Sequence, residues 1–134
     1  MSTMRVEVVT PERVIFSGEA TMVVTRTAAG EIAFLPQHAP FLGALVENHT
    51  RIYIEGDKVQ DIAVHGGFVE VSNNRVSILS DLAELSDEID VEQVRHELEQ
   101  AQAKLTQEQD LDVLAEIGQS IRRSEARLSA AHAS

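Results

Sequence analysis

The spacing of apolar residues changes near residue 87, and this change limits the possible folds more than any other feature of the sequence. Before it, short segments such as Arg51–Glu55 and Phe68–Val71 alternate between apolar and polar residues, as half-buried strands do. After it, apolar residues recur at helical spacing, at Val91, Val94, Leu98, Ala101 and Leu105. We therefore predict two modules: residues 1–86 built from strands, and residues 87–134 built from helices.

Turn signals divide the first module into short strands. Asn and Gly tolerate the positive φ that tight turns require, and such signals stand at Ala29-Gly30, Glu55–Lys58, Gly66-Gly67 and Ser72–Asn74. About eight to ten short strands at this spacing are typical of an all-β sandwich or barrel. The loop Gly30–Pro40 contains two prolines, which fix their own φ and make the loop rigid.

The second module carries the signals of helix ends. Asp90 is an N-cap candidate, and Gln93 occupies the position at which a capping box has Glu or Gln. The polar segment Thr106–Gln109 links this helix to a second one that Asp110 could cap. The second apolar stripe contains Leu114, Ile117, Ile121 and Leu128. Because both stripes are narrow, we predict an antiparallel two-helix hairpin that needs little help from the sandwich and is free to dock or undock.

Composition excludes several functions. The absence of cysteine excludes a disulfide scaffold and a thiolate site, and a net charge of -11 argues against a nucleic-acid partner. No stretch approaches the roughly 20 apolar residues of a membrane span, and the N-terminus lacks the apolar core of a signal peptide. The five histidines are dispersed, and Ser17 and Ser80 lack a nucleophile-elbow context. We expect no catalytic residue, no metal site, and membrane contact only through partner proteins.

Several segments, in this order and spacing, resemble the epsilon subunit of bacterial and chloroplast F-type ATP synthases. They are Val6–Val14, Gly30–Pro40, Ile62–Val71, Val76–Asp81 and Glu88–Asp90. The resemblance implies a β-sandwich followed by a helical hairpin. It also implies a non-catalytic rotor subunit that links the gamma subunit to the c-ring and couples proton flow to ATP synthesis. The chain departs from the family pattern at His65, where a small residue is usual.

The resemblance further implies two contact regions on the sandwich. The c-ring region contains Glu31, Leu35, Pro36, His38, Ala39 and Pro40. The gamma-subunit region contains Ile62, Val64, Gly66, Gly67 and Phe68. In the family the hairpin can also extend towards the alpha and beta subunits and inhibit ATP hydrolysis. The implied location is peripheral, on the cytoplasmic face of the bacterial cell membrane.

Some family members bind ATP on the hairpin, and the matching residues here are Ile89, Asp90, Arg123 and Arg127. Gln93 and Gln100 stand where that motif has arginines, and an amide supplies neither the charge nor the bidentate fork of a guanidinium. Arg95 cannot substitute, because two residues along a helix is about 200° of rotation. We therefore expect no cofactor. Two other function classes stay open: a nucleotide-binding module and a stand-alone β-sandwich enzyme.

Overall fold

A computed structural model describes residues 2–133; Met1 and Ser134, which begin and end the two predicted modules, lie outside the described residues. The strands are β1 (Met4–Val9), β2 (Val14–Ala20), β3 (Met22–Thr27), β4 (Gly30–Phe34), β5 (Phe41–Ile54), β6 (Lys58–Ser72), β7 (Arg75–Leu79) and β8 (Ala83–Leu85). A 3-10 turn (Ser86–Glu88) leads to α1 (Val91–Leu105) and α2 (Leu111–Ala133). This confirms the predicted sandwich of about eight to ten strands followed by two helices.

The two long strands β5 and β6 form the spine of the sandwich. They pair antiparallel over their whole length, from Phe41 opposite Val71 to Ile54 opposite Lys58. The first half of β6 also pairs with β8 and its second half pairs with β7, so β6 passes from one layer to the other. The sheet order is β2-β1-β7-β6-β5-β3-β4. The core between the layers is almost entirely aliphatic, with Val6, Phe34, Ile52 and Ile78 among its fully buried side chains.

The pair Gly66-Gly67 lies inside β6 and not in a turn, so that prediction is wrong. Both glycines have positive φ, 80° and 104°, at the point where β6 leaves β8 and joins β7. A Cβ on Gly67 would stand 2.0 Å from the carbonyl oxygen of Leu79. Glycine is therefore required here by the crossing between layers, which uses the same conformational freedom as a turn.

The predicted loop Gly30–Pro40 is shorter in the structure, because its first five residues form β4. The remaining loop, Leu35–Pro40, is fixed from both sides. Gln37 has a φ of 67°, and its backbone N–H donates to Asn74 Oδ1 at 2.9 Å. The amide of Asn74 in turn donates to the backbone oxygen of Thr3 at 2.9 Å. These bonds tie the loop to the turn before β7.

Both helices begin where the sequence predicts. Asp90 Oδ1 accepts from the backbone N–H of Gln93 at 3.2 Å, and Asp110 Oδ1 accepts from that of Asp112 at 2.9 Å. The capping box is incomplete, because the Gln93 side chain donates to Glu97 instead. No helix within residues 2–133 has the length and apolar character that crossing a membrane requires.

The hairpin is less self-contained than its narrow stripes predict. Helix α2 lies against β5 and β6, and the buried side chains of Ile89, Val94 and Ala130 pack together with Ala63 of β6. Ser124, which interrupts the predicted stripe, is buried as well. In this conformation the hairpin is docked on the sandwich, mainly through α2.

Candidate interaction surfaces

The loop Leu35–Pro40 brings five of the six residues of the predicted c-ring region together. Leu35, Ala39 and Pro40 are exposed, whereas Pro36 and His38 are half-buried. The His38 ring packs edge-on against Phe34, with centroids 4.9 Å apart, and its Nδ1 donates to the Ala39 carbonyl at 2.7 Å. A histidine held in this way stiffens the loop, and its Nε2 is left for another partner.

Glu31, the sixth residue of that region, lies on β4 and not in the loop. Its carboxylate is exposed and already paired, with Arg51 Nη2 at 2.9 Å and with Arg26 Nη2 at 3.7 Å. Glu31 therefore holds neighbouring strands together in the free chain, and a partner would have to compete with two arginines for it.

The predicted gamma-subunit region divides into a buried and an exposed part. The side chains of Ile62 and Val64 are fully buried in the sandwich core, so they support the sheet and do not reach a partner. Gly66 and Gly67 are half-exposed in the middle of β6. Only the Phe68 side chain of this set is well exposed, at 58%.

Phe68 belongs to an apolar patch on the outer face of the sheet, formed by Leu42, Ala44, Phe68 and Leu79 and called here the outer patch. Phe68 lies opposite Leu79 of β7 and opposite Ala44 of β5. Leu42 is 71% exposed and Leu79 is 55% exposed. A cavity of about 360 Å³ adjoins Phe68 and Leu79 and is also lined by Val9 and Pro11. Large exposed apolar patches of this kind mark interaction sites.

Sequence reasoning missed Leu42 and Leu79, although Leu79 carries a usable signal. In the segment Val76–Leu79 the inward positions are Val76 and Ile78, so Leu79 breaks the alternation by placing an apolar side chain outside. An apolar residue on the polar face of a strand indicates a surface that is covered by something else.

Arg127 of α2 is the centre of the contacts that dock the hairpin. Its Nη2 donates to Glu84 Oε2 of β8 at 3.1 Å, and its Nε lies 2.8 Å from Glu84 Oε1. Its Nη1 donates to Glu97 Oε2 of α1 at 3.4 Å. One guanidinium thus connects the sandwich, α1 and α2.

Glu84 also contacts a histidine of the sandwich. His65 Nε2 lies 3.3 Å from Glu84 Oε1, and the His65 side chain is completely buried. The hydrogen bond from His65, assisted by the positive charge of Arg127, lowers the pKa of the Glu84 carboxyl although partial burial opposes this shift. Glu84 is therefore ionised at neutral pH and contacts His65 and Arg127 at the same time.

Two further links join α2 to the sheet. Arg122 and Arg123 lie in the middle of α2, because the helix continues to Ala133, and they approach the Glu47 carboxylate of β5 at 3.7 and 4.0 Å. These two arginines therefore form ion pairs with the sheet and do not lie in the last turn, where they would interact with the helix dipole.

The second link is a chain of three side chains. His49 of β5 bonds through Nε2 to Asp61 Oδ1 at 2.6 Å and through Nδ1 to Ser129 Oγ at 3.1 Å. This sequence of groups resembles a hydrolytic triad, but Ser129 lies inside a helix, where neighbouring N–H groups are already bonded and cannot stabilise an oxyanion. These three linked side chains join β6, β5 and α2, and their role is structural.

The residues of the nucleotide motif are not gathered in one place. Arg123 and Arg127 line a cavity of about 420 Å³ between the hairpin and the sandwich, whereas Ile89 and Asp90 do not. Asp90 is engaged in capping α1. Among the described residues, the cavity is lined by four carboxylates, from Glu12, Asp81, Glu84 and Glu97, and by the guanidinium groups of Arg13, Arg123 and Arg127. Such a lining does not favour a polyphosphate.

The fold and these surfaces are those of a subunit-like protein: a β-sandwich with an exposed apolar patch, and a helical hairpin docked on it. The sequence model of the ATP synthase Delta/Epsilon chain beta-sandwich domain matches residues 3–86. The chain belongs to this family, which confirms the resemblance, and it is a subunit of an ATP synthase complex rather than an enzyme in its own right.

Relatives with the same description cover most of the chain. It is 49% identical over 107 residues to the ATP synthase epsilon chain of Brevibacillus brevis, covering 80% of this chain and 81% of that one. It is 39% identical over 127 residues to the ATP synthase epsilon chain of Streptomyces griseus, covering 95% of this chain and 94% of that one. The second match includes most of the hairpin as well as the sandwich.

Solved structures show the same fold. A chain of the Euglena gracilis mitochondrial ATP synthase, solved as an OSCP/F1/c-ring assembly, aligns with a TM-score of 0.86 at 25% identity over 98% of this chain and 82% of that one. A chain of the Tetrahymena thermophila central stalk/c-ring structure aligns with a TM-score of 0.59 at 21% identity over 95% of this chain and 93% of that one. The second likeness concerns the fold alone.

Proposed function

We propose that this chain is the central-stalk subunit that links the gamma subunit to the c-ring in the rotor of a proton-translocating ATP synthase. The observation that carries the proposal is the agreement of fold over 98% of the chain with a component of an F1/c-ring assembly. In this position the chain couples proton translocation to ATP synthesis. It lies on the cytoplasmic face of a bacterial cell membrane and reaches the membrane only through its partners.

The outer patch is the proposed contact with the gamma subunit. Leu42, Phe68 and Leu79 are each more than half exposed, and burial of one such side chain contributes roughly 1.5–3 kcal/mol. The adjoining cavity beside Phe68 gives a partner side chain a place to insert. This surface replaces the predicted set around Ile62 and Val64, whose buried side chains form its support.

The gamma contact is tested with Phe68→Ser, using Val59→Ser as the control. Val59 is also an exposed apolar residue of β6, at the opposite end of the strand. Loss of about 2 kcal/mol of apolar burial weakens binding of purified gamma subunit roughly thirtyfold in Phe68→Ser, whereas Val59→Ser binds normally. Equal affinities of the two variants would remove the outer patch from the proposal.

The loop Leu35–Pro40 is the proposed contact with the c-ring, and Glu31 lies beside it on β4. The loop presents Leu35, Ala39 and Pro40 on a backbone that hydrogen bonds hold in place, and a preorganised loop loses little entropy on binding. In reconstituted vesicles, Leu35→Asp should reduce proton-driven ATP synthesis while the soluble gamma complex still forms. Unchanged synthesis would contradict this contact.

The hairpin is the proposed regulatory element. In the docked state Arg127 and Arg123 are paired with carboxylates of the sandwich and of α1. Release of the hairpin frees these cations for the alpha and beta subunits, where an extended hairpin obstructs ATP hydrolysis. The alternative of a nucleotide-binding module is not favoured, because Gln93 and Gln100 lack the required charge and the cavity carries four carboxylates.

A further inference from the structure

His65 is a buried histidine at the cavity between the sandwich and the hairpin. Among the described residues, only one of its two ring nitrogens has a hydrogen-bond partner. Its side chain is 0% exposed, Nε2 contacts Glu84, and Nδ1 is buried with no hydrogen-bond partner in the described part of the chain. The ring lines the cavity of about 420 Å³ that separates β6 and β8 from α1 and α2. A buried polar atom without a partner at a junction needs an explanation.

In the part of the chain that the structure describes, seven charged side chains line the same cavity. From the sandwich they are Glu12, Arg13, Asp81 and Glu84, and from the helices they are Glu97, Arg123 and Arg127. Of these, Glu84 is within hydrogen-bond distance of His65, and Arg127 shares the same carboxylate. The charge of His65 therefore acts first on the Glu84–Arg127 pair.

In the docked state a neutral His65 fits this arrangement. The Nε2–H donates to Glu84 Oε1, while Arg127 supplies the single positive charge that the carboxylate requires. A protonated His65 places two cations on one carboxylate. It also adds a donor at Nδ1 where no acceptor is within reach among the described residues. Both effects oppose docking.

In the released state the situation is reversed. Without α2, Arg127 no longer occupies Glu84, and the carboxylate can pair with a protonated His65 alone. The cavity is open to water, which solvates the second nitrogen. Proton binding to His65 therefore costs less in the released state, and by linkage each proton taken up shifts the equilibrium towards release.

We propose that His65 makes the docking of the hairpin sensitive to pH, so that acidification in the histidine range releases the hairpin from the sandwich. The inference rests on the proposed function only in requiring a hairpin that can undock. Histidine is the side chain whose charge ordinarily changes between about pH 5 and 8. One coupled proton can change the docked-to-released ratio by at most about tenfold per pH unit.

His49 does not produce the opposite effect. Its two nitrogens face Asp61 and Ser129, and a hydroxyl can either donate or accept. Both the neutral and the protonated ring therefore keep two partners, so docking tolerates either form of His49.

The experiment uses the full chain, which contains no cysteine, with spin labels at Glu55→Cys in the turn after β5 and Gln102→Cys on α1. Interlabel distances are measured from pH 8 to pH 5.5 in three backgrounds: unchanged, His65→Gln and His96→Gln. Glutamine at 65 keeps an N–H for Glu84 but cannot be charged. His96 is exposed on α1 and serves as the matched control.

We expect the docked-to-released ratio to fall on the order of tenfold over this range in the unchanged chain and in His96→Gln, and to stay level in His65→Gln. The NMR titration of the His65 ring in the unchanged chain should share the midpoint of release. A hairpin that stays docked in every background overturns both this inference and the proposal that the hairpin undocks. Release that depends equally on pH in His65→Gln, or that is independent of pH throughout, overturns this inference alone.

Discussion

Gly67→Ala should destabilise the sandwich far more than an ordinary glycine substitution. The added Cβ would lie 2.0 Å from Leu79 O, whereas Cβ contacts below 3.0 Å essentially never occur, so β6 and β7 must separate by at least 1 Å. The obstacle is backbone, which no rotamer change can move. Backbone strain at φ 104° costs about 1–2 kcal/mol, and disruption of the β6–β7 ladder should bring the total to roughly 3–5 kcal/mol.

The matched control is Gly56→Ala, which has a φ of 84° but nothing within 4 Å of the added Cβ. It carries the backbone strain without the clash, so it should cost only about 1–2 kcal/mol. Urea denaturation followed by circular dichroism gives the free energy of unfolding of both variants. Losses of this size can be measured because a stable domain has a free energy of unfolding of roughly 5–15 kcal/mol. If the two variants unfold within about 0.5 kcal/mol of each other, the argument that β6 crosses between layers at Gly67 is refuted.

Three other predictions concern the hairpin and its base. Removal of residues 88–134 should leave a folded sandwich that binds the gamma subunit and should raise ATP hydrolysis by the reconstituted complex; an unfolded product would contradict the two modules, and an unchanged rate would contradict inhibition. Calorimetry of the full chain with MgATP should show no tight binding, because Gln93 and Gln100 supply no charge; a micromolar signal would contradict this. Arg13, followed by the Leu85 backbone N–H, lowers the pKa of Glu88, so this contact stabilises the fold above the ordinary pKa of a glutamate and is lost as pH falls through the lowered value. The acid limb of a stability–pH curve should therefore be shallower in Glu88→Gln, and an identical limb would mean that the Arg13–Glu88 pair contributes nothing.

The sequence predicts those features that depend on neighbouring residues. Alternation locates the strands, and Asp90 and Asp110 locate both helix starts because capping is a contact over two or three residues. The turn predicted at Gly66-Gly67 is wrong, since positive φ occurs both in a turn and where a strand crosses between layers. The outer patch needs Leu42 and Leu79 to meet Phe68, and strand pairing at such separation cannot be read from spacing.

The contacts that dock the hairpin on the sandwich are the least predictable part of the structure, because their partners lie far apart in the sequence. The bonds from Arg127 to Glu84 and from His49 to Ser129 join residues 43 and 80 positions apart. No local pattern marks such partners, because a charged residue on a helix is usually solvated. The narrow stripes of the hairpin are consistent with the small apolar cluster between the hairpin and the sheet, but they do not predict that α2 docks there.

The two hydrophobic clusters differ in a way that decides what can move. Within residues 2–133 the sandwich core contains sixteen buried apolar residues, whereas the cluster under the hairpin contains four, of which Ala63 and Ala130 are alanines. Burial contributes about 0.8 kcal/mol per methylene, so the small cluster holds the hairpin by only a few kcal/mol. Ion pairs from Arg123 to Glu47 and from Arg127 to Glu84 add to this attraction. Because water, protons and partner charges all compete with ion pairs, the hairpin is the element whose position they can change while the sandwich stays folded.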